Sequence, residues 1–152
     1  MRRLIPVLLF VVALAATSLT AVSPAGSAGA VTGAPRTAVY TVMIETTALG
    51  KVLANSKGRT LYISINDKTP DKSSCTGDCA TAWPPLHVTG KVTYGPGVKA
   101  SMFKVITRAD HTKQLAVNGK PLYTWFQDTK PKEATGEAVN GFYAVHPNGT
   151  RY

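Results

Sequence analysis

Short hydrophobic runs separated by turn-forming residues extend through most of the chain. β-Branched and aromatic residues dominate residues 38–47, and residues 51–65 are typical of two strands joined by a turn at residues 56–58. Residues 103–117 have a similar hairpin pattern. The next turn falls at residues 118–119, an Asn-Gly pair, which is the strongest short-range hairpin signal. The pattern therefore predicts strands joined by tight turns.

Helical periodicity is almost absent from the chain. Residues 77–83 (GDCATAW) could form a helical turn or two, whereas residues 90–98 indicate a short strand and residues 141–152 a final strand with a turn. We therefore expect an all-β fold with little helix. The hairpins should pack as a single compact domain in a sandwich or barrel-like arrangement.

The chain contains an internal repeat. The run LANSKGRTLYISINDKTP aligns with LAVNGKPLYTWFQDTKP once a single gap is allowed, which places Tyr123 61 positions after Tyr62. Each copy continues through a polar loop into an aromatic segment, WPPLHV in the first and FYAVHP in the second. We expect two divergent hairpin-rich repeats, at about residues 49–88 and 103–150, which pack together because neither can bury its apolar face alone.

The N-terminus has the pattern of a secretory signal peptide. Two arginines precede an apolar run at residues 4–16, and small residues mark a cleavage site after Ala30. An uncleaved anchor is the alternative. After residues 1–30, a flexible leader at residues 31–37 precedes the β domain at residues 38–152, in which no run is long and apolar enough to cross a bilayer. We expect a secreted protein, extracellular or associated with the cell envelope, without a transmembrane span.

The chain is basic, with 17 Lys and Arg against eight Asp and Glu and a formal net charge of +9. A basic exported protein can bind anionic components of the cell envelope without a specific site. The alternative is a solvated positive surface that favours solubility. The lysines are scattered singly and are not interleaved with aromatic residues, so no nucleic-acid partner is expected.

The chain has two cysteines, Cys75 and Cys79, four positions apart. Export into an oxidising compartment favours a disulfide that pins the loop, and Gly77 lets the chain turn back between them. A soft-metal site is the alternative, because two thiolates and the imidazole of His87 make a plausible copper set, to which Met102 would add a thioether. Apart from this copper alternative, no cofactor is expected.

Asp67 and Asp128 occupy equivalent positions in the two repeats. A pair of carboxylates could cleave a glycoside. An Asp shortly before Pro can also hydrogen-bond loop amides and start an Asx turn, and its repetition favours this structural role. Tyr123 and Trp125 could form an exposed aromatic platform for sugars or peptides, but we expect them in the core, together with Tyr62 and Phe126.

The YTWFQD run at residues 123–128 resembles the Tyr-x-(Phe/Trp/Tyr)-x-x-Asp signature of a bacterial family of secreted repeats and predicted lipoproteins. The block from GRTLYISINDK to CTGDCATAWPPL is similar to the first repeat of that family, and the block from NGKPLYTWFQD to GFYAVHPNG to the second. The resemblance covers about residues 49–149 and implies a fold without a mechanism. Two features depart from the family: Ser64 stands at an aromatic position, and no lipid-attachment cysteine follows the signal, so membrane tethering is not implied.

These observations favour an exported, non-catalytic binding module of unknown ligand, either extracellular or associated with the envelope. The alternative is a copper-binding or electron-transfer accessory protein that uses Cys75 and Cys79. A third interpretation is a secreted hydrolase that uses Asp67 and Asp128.

Overall fold

A computed structural model describes residues 41–152 of the protein. The predicted signal peptide, with its cleavage site at Ala30, and the predicted leader at residues 31–37 lie outside the described residues. The strands are β1 (Val42–Thr47), β2 (Gly50–Asn55), β3 (Tyr62–Ser64), β4 (Phe103–Thr107), β5 (Lys113–Val117), β6 (Lys120–Pro121) and β7 (Phe142–Ala144). Helix α1 spans Asp78–Ala82, and two 3₁₀ turns span Ala100–Met102 and Val139–Gly141.

The strands of residues 41–152 form three small antiparallel sheets, β1–β2, β3–β7 and β4–β5–β6. Isolated bridges join these sheets, and the all-β prediction is confirmed, although these strands do not close into a barrel. The strand predicted within residues 90–98 is wrong, because Tyr94 makes a single bridge to Val42. Pro96 lacks an amide hydrogen and lies between two glycines, so the run turns before a strand can extend.

The predicted turns form where Asn and Gly permit a positive φ. Asn118 and Gly119 have φ of +48° and +77°, as a type I′ hairpin turn requires. The equivalent turn of the first repeat is one residue longer and places Gly58 at φ +73°. The side-chain oxygen of Asn55 accepts the amide of Lys57 at 2.9 Å and fixes this longer turn. Both hairpins therefore arise from local sequence.

Each repeat completes the strand pairing of the other. Tyr62 and Tyr123 lie opposite each other and exchange both backbone hydrogen bonds, with N–O distances of 2.9 Å in each direction. Strand β2 of the first repeat bonds to the segment after β7, and β5 of the second repeat bonds to the segment after α1. These bonds join Leu53 N to Val145 O at 2.8 Å and Leu115 N to Leu86 O at 2.9 Å. The reciprocal contacts are those of a two-fold arrangement.

Aromatic rings from both repeats form one buried cluster. Trp83 stacks on Phe142, which holds the equivalent position, with ring centroids 3.9 Å apart and 6° between the planes. Tyr62 and Trp83 meet in a T-shaped arrangement, and so do Tyr123 and Phe142, both with ring centroids 5.2 Å apart. Trp125 packs on Trp83 at 4.2 Å. Tyr62, Tyr123 and Trp125 are therefore core residues and do not form an exposed platform. The expectation for Phe126 is wrong: its side chain is 50% exposed, because it lies in the turn that follows Trp125.

A second core cluster is aliphatic. Its buried members are Val42, Leu53, Leu61, Ile63, Leu115, Val117, Leu122 and Val145. Three members lie in the first repeat and four in the second, and Val42 comes from β1, just before the first repeat, so both repeats contribute to the cluster. A repeat on its own would expose these side chains to water.

We expect Gly136→Ala to destabilise the protein. A Cβ at this buried position would lie 2.8 Å from Trp83 Cη2 and 2.9 Å from Trp125 Cγ, closer than packed atoms tolerate. Overpacking of this kind costs about 1–3 kcal/mol, so the midpoint of urea unfolding should fall. Gly90→Ala is the matched control, because a Cβ there would meet nothing within 4 Å. Equal midpoints for the two variants would contradict the packing.

Candidate functional site

Two buried side-chain hydrogen bonds cross between the repeats. Tyr62 Oη donates to Asp128 Oδ2 at 2.6 Å, and Tyr123 Oη donates to Asp67 Oδ2 at 2.8 Å. The donor and the acceptor of each bond come from different repeats and are 66 and 56 residues apart in sequence. All four residues are at most 1% exposed. The bonds therefore lie away from water, where hydrogen bonds to a carboxylate are strong.

The second oxygen of each carboxylate closes a loop within its own repeat. Asp67 Oδ1 accepts the amide and the hydroxyl of Ser74, at 2.7 and 2.8 Å. Asp128 Oδ1 accepts the same two groups of Thr135, at 2.9 and 2.7 Å. Both carboxylates accept a backbone amide of their loop, and that amide lies seven residues ahead in each case. The Asx turn, which reaches two residues ahead, is therefore replaced by a wider loop.

Asp67 and Asp128 are buried, although Asp67 borders a cavity of about 290 Å³ that its own loop forms. Both oxygens of each carboxylate accept hydrogen bonds from the protein, and both side chains are buried. A glycoside-cleaving pair instead flanks a space that admits the sugar. The arrangement therefore supports a structural role for the two carboxylates.

Burial raises the pKa of both tyrosine hydroxyl groups in these bonds. For Tyr62, removal from water is the largest cause of the raised pKa, and the hydrogen bond to Asp128 adds to it. For Tyr123, burial again raises the pKa most; a hydrogen bond with Ser73 opposes this rise, and the charge of Asp67 adds to it. Both tyrosines therefore remain protonated donors at neutral pH.

Cys75 and Cys79 form a disulfide, with 5.2 Å between their Cα atoms. Gly77 adopts φ +54° between them, and α1 begins at the next residue. Because neither sulfur of a disulfide is a thiolate, the predicted copper set with His87 applies to the reduced protein. His87 is exposed. Residues 41–152 hold no group of three or more His, Cys, Asp or Glu side chains placed to bind a metal ion.

Arg108 is a buried residue that sequence reasoning missed. Its guanidinium donates to Ser73 Oγ at 2.8 Å, to Gln114 Oε1 at 2.7 Å and to the Cys75 carbonyl at 2.7 Å. Ser73 Oγ lies 2.7 Å from Tyr123 Oη and donates to it, because the tyrosine hydrogen is already used. Arg108 therefore connects the disulfide loop to one of the crossed bonds. An Arg beside a predicted turn carries no sequence signal for this role.

The comparison with protein families matches both halves of the chain. Residues 43–87 and residues 104–147 each match the family described as "Secreted repeat of unknown function". The chain belongs to this family of two-repeat sequences, and the protein is secreted. Searches of the curated proteins and of the solved structures find no match. In the part of the chain that the structure describes, no helix has the length and apolar character needed to span a membrane.

We expect the protein to lose stability as the pH rises above about 10, the ordinary pKa of tyrosine. Folding raises the pKa of Tyr62 and Tyr123, so their contribution is fully present below the unfolded-state pKa and is lost above it. Each should remove about 1.4 kcal/mol per pH unit in that range. Urea unfolding between about pH 8 and pH 11 measures the slope, which should be shallower for Tyr62→Phe and for Tyr123→Phe. Slopes equal to that of the wild type would contradict the claim that these two tyrosines cause the loss of stability.

Proposed function

We propose that the protein is a non-catalytic binding module that holds anionic components of the cell envelope. The observation that carries the proposal is the charge of its surface. Ten lysines of residues 41–152 are exposed, and among them only Lys104 forms an ion pair, with Asp71. Two of the eight carboxylate side chains, Asp67 and Asp128, are buried and do not offset the positive charge at the surface.

The state of the candidate catalytic groups supports binding over catalysis. Asp67 and Asp128 use both oxygens in hydrogen bonds to the protein. Cys75 and Cys79 are joined to each other. The hydrolase alternative would need the carboxylates of Asp67 and Asp128 to be accessible, and the copper alternative would need Cys75 and Cys79 as free thiolates.

Scattered lysines favour a polymeric partner. A single exposed ion pair contributes about 0.2–1 kcal/mol, which is too little to hold a small anion. A polymer with many anionic groups can contact several lysines at once, and the later contacts are effectively intramolecular. Long-range attraction also raises the rate of encounter. The partner we propose is therefore a polyanion.

We expect the mature protein to be retained on beads that carry polyphosphate or polyglutamate and to pass through beads that carry uncharged dextran. Retention should fall as NaCl is raised from about 0.1 M to about 1 M, because the Debye length shortens from about 10 Å to about 3 Å. The dextran beads control for adsorption to a polymer surface. Retention without salt dependence, or equal retention on dextran, would contradict binding driven by charge.

A further inference from the structure

A cleft with cationic side chains on both sides lies in the first repeat. The turn between β2 and β3 forms one side, and residues 86–93 form the other. Its volume is about 450 Å³, within the range of about 300–1,000 Å³ that is usual for ligand sites. We call it the basic cleft, and its four basic residues define it: Lys57, Arg59, His87 and Lys91.

The positive charge of the basic cleft is not neutralised by the protein. Its other lining residues, among those that the structure describes, are uncharged: Thr41, Asn55, Ser56, Leu86 and Thr93. Lys57 and Lys91 are exposed, and neither forms an ion pair within residues 41–152. Two ammonium groups and a guanidinium therefore border one space without a counter-charge.

Arg59 is held in place at one end of its guanidinium. Its Nη2 donates to the Trp125 carbonyl at 2.8 Å, which ties the side chain to the core. Its Nε is buried and has no hydrogen-bond partner in the described part of the chain. A guanidinium that is fixed at one end is well suited to an oxyanion, because little side-chain freedom remains to be lost on binding.

The second repeat closes the equivalent space. Its turn is shorter by one residue, and Asn118 Nδ2 donates to the Gly149 carbonyl at 3.3 Å. A Cβ at Gly149 would lie 2.4 Å from Asn118 Nδ2, so the turn and the facing segment are in direct contact. In the first repeat, Lys57 is the additional residue of the turn. The closed second repeat shows that the fold does not require this space to be open. In the first repeat, the residue that lengthens the turn, Lys57, also adds a positive charge to the space.

Two further basic residues of the cleft, His87 and Lys91, also differ from their counterparts in the second repeat. His146 is half-buried and stacks on Tyr152, with ring centroids 3.6 Å apart. Its counterpart His87, 59 positions earlier, is exposed and lines the cleft. Lys91 stands where the second repeat has Thr150. Lys57, His87 and Lys91 each depart from the repeat pattern, and all three line the basic cleft.

We propose that the basic cleft binds a phosphate group of an anionic envelope polymer. The cationic groups come from two opposite sides, and the oxygens of a tetrahedral phosphate can accept hydrogen bonds from both sides at once. The volume leaves room for the sugar or polyol unit that carries the phosphate. This inference rests on the proposed function and names the recognition element within it.

The test compares two variants of the mature protein that lose the same charge. Lys57→Gln with Lys91→Gln changes the cleft, and Lys51→Gln with Lys99→Gln removes two exposed lysines that do not line it. Binding of a phosphodiester-linked glycerol oligomer, of inorganic phosphate and of oligoglutamate is measured by calorimetry at fixed salt. Urea midpoints establish that both variants fold, and amide chemical-shift changes on addition of the oligomer locate the site in the wild type.

We expect the cleft variant to bind the glycerol phosphate oligomer about tenfold more weakly than the wild type, and the control variant to bind it within about twofold. Shift changes in the wild type should centre on residues 55–59 and 86–93. If both variants bound the oligomer equally weakly, or if the shift changes fell elsewhere, the cleft would not be the binding site. The proposed charge-driven function would still stand. Wild type that binds none of the anions would refute both. If inorganic phosphate bound as tightly as the oligomer, the polymer would be ruled out as the source of the phosphate group that the cleft binds.

Discussion

The two crossed hydrogen bonds between tyrosine and aspartate are the constraint on which the rest of the structure depends. A buried carboxylate is costly unless donors surround it. Asp67 and Asp128 each take donors from their own loop and one more donor from the tyrosine of the other repeat. Neither repeat can satisfy its carboxylate alone, just as neither can cover the aliphatic cluster. The same two carboxylates shape both loops through one oxygen and join the two halves through the other.

Binding is proposed where the repeats differ, because the features they share are used by the core. The hairpins, the crossed bonds and the stacked Trp83 and Phe142 rings are common to both halves. Only the first repeat has a disulfide, whose Cys75 carbonyl accepts a hydrogen bond from Arg108, and only the first repeat opens the basic cleft. The second repeat has Gly136 where the first has Cys75, and it closes the equivalent of the cleft through Asn118. A rigid scaffold can thus hold the cationic side chains in place.

Local signals made much of this fold predictable, whereas the contacts that join the repeats depend on the tertiary structure. The Asn118-Gly119 turn and the pairing of Cys75 with Cys79 follow from residues that are close in sequence. The alignment of the repeats identified Tyr62 and Asp128 as important positions but gave no sign that they meet across 66 residues. The burial of Arg108 could not be predicted locally, because two of its partners, Ser73 and the Cys75 carbonyl, come from a distant segment of the chain. The basic cleft was hidden for the same reason, since its two sides are distant in sequence.

Native-state hydrogen exchange at the amides of Ser74 and Thr135 tests most directly whether the crossed bonds join the repeats. Each amide donates to one of the two buried carboxylates, so each reports the opening of one half. If the bonds unite the halves, both amides should exchange with the same free energy, equal to that of global unfolding in urea. Values that differ by more than about 1 kcal/mol, with one amide exchanging while the other stays protected, would show that the halves open independently and would contradict this account.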